Sequence, residues 1–150
     1  MRNKFFILAG FCIWQLISPK IITAQKSNQS ILSSSAFDWN NLKAEKTKIG
    51  ERRQVLNSPT STLDNLEIHV TTLNPGESAH PAHQHPEEEL TIIKEGTVEV
   101  LVDGKMVIVG PGSVVFQAAN QFHSIKNVGT TIAVYHAIKW KSAKTGVPVK

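Results

Sequence analysis

The feature that most restricts the fold of this chain is a series of short apolar runs between residues 66 and 140, each ended by turn-forming residues. Residues 66–73 alternate apolar and polar side chains and stop at Asn74-Pro75-Gly76, which is typical of a strand followed by a turn. Asp103-Gly104 joins two further runs and is a strong hairpin signal. Helical periodicity is confined to one turn near residues 39–43. The pattern therefore predicts an all-β fold.

The apolar runs also predict how the strands follow one another. Residues 90–94 and 97–102 are separated only by Glu95-Gly96, and with the run after Asp103-Gly104 they predict a meander of neighbouring antiparallel strands. Further strands are predicted at residues 113–117, 122–126 and 131–140. About six to eleven antiparallel strands in a domain of this size form a β-barrel or a double-stranded β-helix, the jelly roll.

The first 24 residues have the layout of a secretory signal peptide. Arg2 and Lys4 precede an apolar stretch at residues 5–17, and Thr23-Ala24 offers small residues for cleavage. A membrane anchor is the competing interpretation, but the apolar stretch is shorter than the roughly 20 residues that a spanning helix needs. We therefore expect export, to the periplasm or out of the cell, with cleavage after Ala24.

Cleavage would change the chemistry available to the mature chain. It removes the single cysteine, Cys12, and with it any thiolate ligand or intramolecular disulfide. The formal charge of +4 falls by three to +1, because the leader contains three basic residues and no acidic ones. This balance gives no electrostatic reason to expect nucleic-acid binding. No membrane association is expected once the leader is gone.

Beyond the leader, the sequence predicts one folded domain between two short flanking segments. Residues 25–36 contain five serines and little apolar pattern, as in a flexible linker. The domain is predicted at residues 37–141, and residues 142–150 are a C-terminal tail.

Side chains that bind metal ions are concentrated at residues 83–89. On an extended strand His83 and His85 share one face, about 6–7 Å apart along the strand, so two imidazoles can converge on one ion. Glu89 follows with a carboxylate, and imidazole with carboxylate suits Mn, Fe, Ni or Zn. A fourth ligand must come from elsewhere in the fold.

This segment resembles the first motif of the cupin superfamily, which reads His-x-His, three or four residues, Glu, six residues, Gly. The spacing is matched by His83, His85, Glu89 and Gly96. The second motif of that family is similar to the segment that contains Gly112, His123 and Asn127. Ala118 and Asn120 stand where Pro and Gly are usual. Because Asn tolerates positive φ better than most residues, the turn before His123 is expected to be retained.

The resemblance implies a small single-domain cupin of the type-2 conserved-barrel class, with His123 as the fourth ligand of one divalent transition metal ion (Mn, Fe, Ni or Zn). A barrel that keeps the fold without an ion is the alternative. Since single-domain cupins resemble one another in pairing through sheet edges, a homodimer is expected, with the strand at residues 50–56 as the edge to be covered.

Two functions stay open at this point, because the fold does not set the activity. The first is a metal-dependent enzyme of the decarboxylase, dioxygenase or sugar isomerase type, acting on a small oxygen-rich molecule such as a carboxylate or uronate sugar. The second is a periplasmic or secreted module that binds a small ligand without turnover. An enzyme should have a titratable side chain near the ion.

Three further histidines are candidates for that catalytic role. On a regular last strand His136 shares one face with Ile138 and Trp140, so it is the candidate acid or base inside the barrel, with a core or dimer-interface position as the alternative. His69 lies on the more polar face of its strand and is interpreted as structural. His80 precedes the ligands in a loop and is interpreted as a surface residue, with a supporting position at the mouth of the pocket as the alternative.

Overall fold

The computed structural model describes residues 30–146. The predicted signal peptide, residues 25–29 of the predicted linker and the last four residues lie outside the described part. Residues 30–36 contain no helix or strand, and a short 3-10 helix at Trp39–Asn41 begins after Asp38, whose side chain accepts a hydrogen bond from the Asn40 amide. Among residues 30–146 there is no helix with the length and apolar character needed to cross a membrane.

The described part of the chain also contains nine β-strands, which are joined by turns and loops. They are β1 (Ala44–Thr47), β2 (Gly50–Ser58), β3 (Asn65–Leu73), β4 (Glu88–Glu95), β5 (Val98–Val102), β6 (Lys105–Val109), β7 (Val114–Gln117), β8 (Ile125–Asn127) and β9 (Ala133–Lys141). The predicted all-β class and the predicted number of strands are confirmed.

The strands form two antiparallel sheets. The larger sheet has the order β1-β2-β3-β9-β4-β7, and the smaller has the order β6-β5-β8. The last strand lies between β3 and β4, so a strand late in the chain is inserted between two early ones, as in a jelly roll. The architecture agrees with the predicted jelly roll, formed here by two sheets rather than by one closed barrel.

The predicted meander is correct at one connection and wrong at the other. Asp103-Gly104 joins β5 and β6 as a hairpin. In contrast, β4 does not pair with β5, because both of its edges are occupied by β7 and β9. The chain crosses between the sheets at Gly96, which has φ +80°, and a Cβ at this position would lie 2.6 Å from Ala133 Cα. Glu95-Gly96 is therefore a crossover, not a hairpin turn.

The hydrophobic core lies between the two sheets and receives side chains from both. Its buried members are Leu73, Ile93, Val98, Val100, Val115, Ile125, Ala133, Tyr135 and Ala137. Three odd-numbered residues of β9, Ala133, Tyr135 and Ala137, belong to this list, so the parity of β9 sets which of its side chains face the interior.

The strand edge at residues 50–56, which was expected to be free, is partly covered. Strand β1 pairs with Gly50–Arg53 of β2 in antiparallel register. The other side of β2 pairs with β3 along its whole length, with an irregularity between Gln54 and Leu56. The short strand β1 therefore stands at this edge of the larger sheet.

Candidate metal centre

The two motif segments meet through their backbones at His83 and His123. The His83 amide donates to the His123 carbonyl at 3.1 Å, and the His123 amide donates to the His83 carbonyl at 2.9 Å. This isolated bridge joins residues 40 positions apart in the sequence. The Asn120 amide adds a 2.8 Å bond to the His85 carbonyl, and Asn120 has φ +59°, as the turn prediction required. These backbone hydrogen bonds thus hold the main chain of His83, His85 and His123 close together.

The side chains of His83, His85 and His123 form one compact group. Their candidate ligand atoms all lie within 4.8 Å of one another. The ring centroids are 4.4 Å apart for His83 and His123, 4.8 Å for His85 and His123, and 5.5 Å for His83 and His85. Three imidazoles at this separation can hold one divalent transition metal ion.

The unpaired nitrogens of these rings provide the fit test for an ion. In the described part of the chain, four buried side-chain polar atoms have no hydrogen-bond partner, and three are His83 Nδ1, His85 Nε2 and His123 Nε2. Buried polar atoms are normally paired, because an unpaired one costs about 1–3 kcal/mol. A metal ion would satisfy all three, so the donor set fits a metal.

The remaining nitrogens of two rings orient them for this role. His85 Nδ1 lies 3.0 Å from the Glu87 carbonyl, and His123 Nδ1 lies 2.9 Å from the Gln121 carbonyl. If each Nδ1 donates a proton to its carbonyl, each Nε2 is left with a free lone pair, which is the arrangement common among metal-binding histidines. Burial, and then the neighbouring imidazoles, lower the pKa of His83, which favours the neutral form that a ligand needs.

Glu89 lies beside the three histidines without belonging to the compact group. It is the second residue of β4, and its Oε2 is 3.5 Å from His85 Nε2. Its Oε1 is 3.4 Å from Thr91 Oγ1, which donates to it. The structure therefore brings together three of the four predicted ligands and places the carboxylate next to one of them.

A cavity of about 350 Å³ opens at the metal centre. It is lined by residues of both sheets, including the four predicted ligands and His80, whose ring lies 4.0 Å from that of His83. His80 is exposed, as the sequence interpretation expected, and is at the same time a neighbour of the centre. Its Nδ1 is 3.1 Å from the Pro81 carbonyl.

His69 and Tyr135 also line this cavity. Burial is the main cause that lowers the pKa of His69, with the positive charge of Arg52 acting in the same direction. Burial raises the pKa of Tyr135 to about 12. Sequence reasoning interpreted His69 as structural because it shares a face with Glu67 and Thr71. The polar character of that face was in fact a signal of the functional site, because His69 and Thr71 on it line the cavity.

His136, the predicted catalytic candidate, lies on the opposite face of β9. The cavity is lined by Tyr135, Ala137 and Lys139, whereas His136 is in register with Val70 and Ile92 on the other side of the sheet. The prediction that it points into the barrel is corrected, because the interior of this strand has odd parity. Burial, and then Lys94, lower its pKa.

The family model described as the cupin domain matches residues 69–139, which include all four predicted ligands. This part of the chain is a cupin domain. No curated protein matches the sequence of this cupin.

Solved structures share its fold at low sequence identity. An RmlC-like cupin from Shewanella frigidimarina has a TM-score of 0.60 and 17% identity, covering 74% of this chain and 95% of its own. A structure described as KdgF from Halomonas sp. has a TM-score of 0.60 and 16% identity, with coverages of 75% and 98%. A predicted oxalate decarboxylase from Thermotoga maritima has a TM-score of 0.58 and 22% identity, with coverages of 71% and 99%. At these identities the likeness concerns the fold.

Proposed function

We propose that this cupin is a metal-dependent enzyme that acts on a small oxygen-rich molecule, such as a carboxylate or a uronate sugar. The observation that carries the proposal is the group of three buried, unpaired imidazole nitrogens at the mouth of a cavity that also contains His69. The fold is shared with structures described as an oxalate decarboxylase and a sugar phosphate isomerase, so chemistry on such molecules is compatible with it.

In this proposal His83, His85 and His123 hold the ion, and Glu89 completes the ligand set. Three neutral imidazoles and one carboxylate leave a net charge of +1 on a divalent ion, which attracts anionic oxygen atoms. When bound, the ion supplies Lewis acidity or activates oxygen. His69 holds or moves a proton within the cavity, and the apolar walls formed by Val100, Val115 and Ile125 exclude water from it.

Metal content tests the first half of the proposal. The purified wild type is expected to contain one divalent ion per chain by elemental mass spectrometry. His123→Ala should weaken metal binding by at least about 10–100-fold, the loss found even for residues that only support ligands. His136→Ala is the matched control, since it removes a histidine from the opposite face of β9. A wild type that neither contains nor takes up metal, or equal losses in the two variants, would contradict the metal site.

Turnover tests the second half. The metal-loaded protein is incubated with hydroxy acids, keto acids and uronates, and products are followed by proton NMR. An enzyme is expected to convert at least one class, and His123→Ala to abolish that conversion. Full metal occupancy with ligand binding but no conversion of any class would favour the binding module instead.

Export and pairing are the remaining parts of the proposal. The exported form is expected to lack residues 1–24, and an intact mass that still includes Met1–Ala24 would refute cleavage. A homodimer is expected by light scattering, because the larger sheet ends in the short edge strands β1 and β7. A monomer at micromolar concentration would refute pairing.

A further inference from the structure

A second group of charged side chains lies in the same cavity as the metal centre. The Glu67 carboxylate binds Arg52 through a 3.1 Å contact and Lys139 through a 3.3 Å contact. The third neighbour is His69, whose Nδ1 is 3.5 Å from Glu67 Oε1. Arg52, His69 and Lys139 line the cavity, whereas Glu67 is not among its lining residues. Glu67 therefore holds the two cationic side chains from behind and leaves them facing the cavity.

The register of the larger sheet connects this group to the metal centre. Lys139 on β9 is paired with Glu67 on β3 and with Glu89 on β4, so the three residues form one row across the sheet. Directly opposed residues have Cβ atoms about 4.5–5.5 Å apart. One small molecule can therefore contact Lys139 and the vicinity of Glu89 at the same time.

The charges of the group do not cancel. Within the group, the Glu67 carboxylate faces two permanent cations, and burial favours neutral His69, so one positive charge is left over. The Glu89 carboxylate also lines the cavity, but in the proposed function it is a ligand of the metal ion. Glu51 also lines the cavity, but it is paired with Lys46 at 3.1 Å and with Arg53 at 2.7 Å. Arg52 and Lys139 are each about a third exposed, which leaves their remaining donors accessible.

We propose that Arg52 and Lys139 form an anion subsite that binds a carboxylate of the substrate while another oxygen of the same molecule faces the three-histidine group. Arginine suits this task, because its planar guanidinium can donate two parallel hydrogen bonds to a carboxylate. The inference rests on the proposed function for its choice of substrate class, and narrows it to small acids with a second oxygen donor, such as hydroxy acids, keto acids and uronates.

A matched pair of sugars tests the subsite. D-Glucuronate and D-glucose differ in one position, where glucuronate has a carboxylate and glucose a hydroxymethyl group. Their dissociation constants are measured by nitrogen-15 NMR titration of the purified protein, once with zinc added and once after chelation. The wild type is expected to bind glucuronate at least about tenfold more tightly than glucose in both states, the effect of one charge-assisted hydrogen bond.

Variants at the two cations should remove that preference. Arg52→Gln and Lys139→Gln are each expected to weaken glucuronate binding about tenfold and to leave glucose binding unchanged. Arg52→Lys keeps the charge and should retain part of the preference. The controls Lys105→Gln and Lys141→Gln each remove one positive charge from a position outside the cavity lining and should change binding by less than about twofold.

The outcomes separate this inference from the proposed function. A wild type that binds glucuronate no more tightly than glucose overturns the subsite. Losses in Arg52→Gln and Lys139→Gln no larger than those in their controls overturn it as well. Because the preference is also measured after chelation, a missing metal or missing turnover would contradict the proposed function and leave the subsite result readable. The titration spectra report in the same experiment whether each variant is folded.

Discussion

Replacement of Asn127 by Ala should destabilise the fold by an amount that the structure allows to be estimated. Asn127 is fully buried at the end of β8. Its Nδ2 donates to the Leu73 carbonyl at 3.0 Å and to the Thr131 carbonyl at 2.8 Å, and its Oδ1 accepts from the Gly129 amide at 3.0 Å. One side chain thus links the end of β3 to the loop before β9.

The cost follows from what each partner loses. The Gly129 amide keeps a second acceptor, the Thr97 carbonyl at 3.2 Å, so it contributes little. Each of the two carbonyls loses a donor, at about 1–2 kcal/mol. The sum is about 2–4 kcal/mol, a large fraction of the stability of a small domain.

Urea unfolding of the chelated protein, followed by circular dichroism, measures this loss without a contribution from metal binding. Asn127→Asp keeps the shape and the acceptor but loses both donors, and should cost at least as much as Asn127→Ala. Asn41→Ala, at an exposed position, is the control and should change stability by less than about 0.5 kcal/mol. A loss below about 1 kcal/mol for Asn127→Ala, or a tolerated Asn127→Asp, would refute the reasoning.

Two further predictions concern stability. Gly96→Ala should lower the unfolding free energy by about 3 kcal/mol or more, because its Cβ would meet the Ile132 carbonyl and Ala133 at 2.6 Å. Gly104→Ala, at φ +72° in open space, should lose only about 1–2 kcal/mol, and equal losses in thermal melts would contradict this account. Burial raises the pKa of Tyr135 to about 12, from 10.0 for an unperturbed tyrosine. The unfolded state therefore loses the proton first, and stability falls as pH rises from 10 to 12. Tyr135→Phe should show a smaller fall over this window, and an identical pH profile would exclude the effect.

Local signals in the sequence were sufficient to predict most strands and the shared face of His83 and His85, whereas His123 was assigned through the resemblance to a known motif. Turn residues such as Asp103-Gly104 act over a few residues, so the hairpin that they form can be recognised without knowing the rest of the fold. The partners of β4 could not be recognised in this way. They lie on β7 and β9, and pairing with β9 depends on where a strand more than 40 residues later is inserted.

The sequence also did not reveal which face of each strand lines the site. Apolar alternation was taken to mark the interior, which placed His136 inside and His69 outside the cavity. The interior here contains a polar cavity, so the face with Glu67, His69 and Thr71 points towards it near the metal centre. Charged and titratable residues that alternate along a strand can thus mark a functional interior rather than a solvated surface.

The mutual backbone hydrogen bonds of His83 and His123 bear on how the protein would acquire a metal ion. These bonds close the loop between the two motif segments without help from an ion. An ion bound by these histidines could therefore leave and be replaced while the backbone stays in place, so folding would not lock it in. Nitrogen and oxygen sites of this kind bind copper and zinc more tightly than manganese or iron, wherever supply is equal. The identity of a metal ion bound by this cupin would then depend on the ions available in its compartment more than on the selectivity of the site.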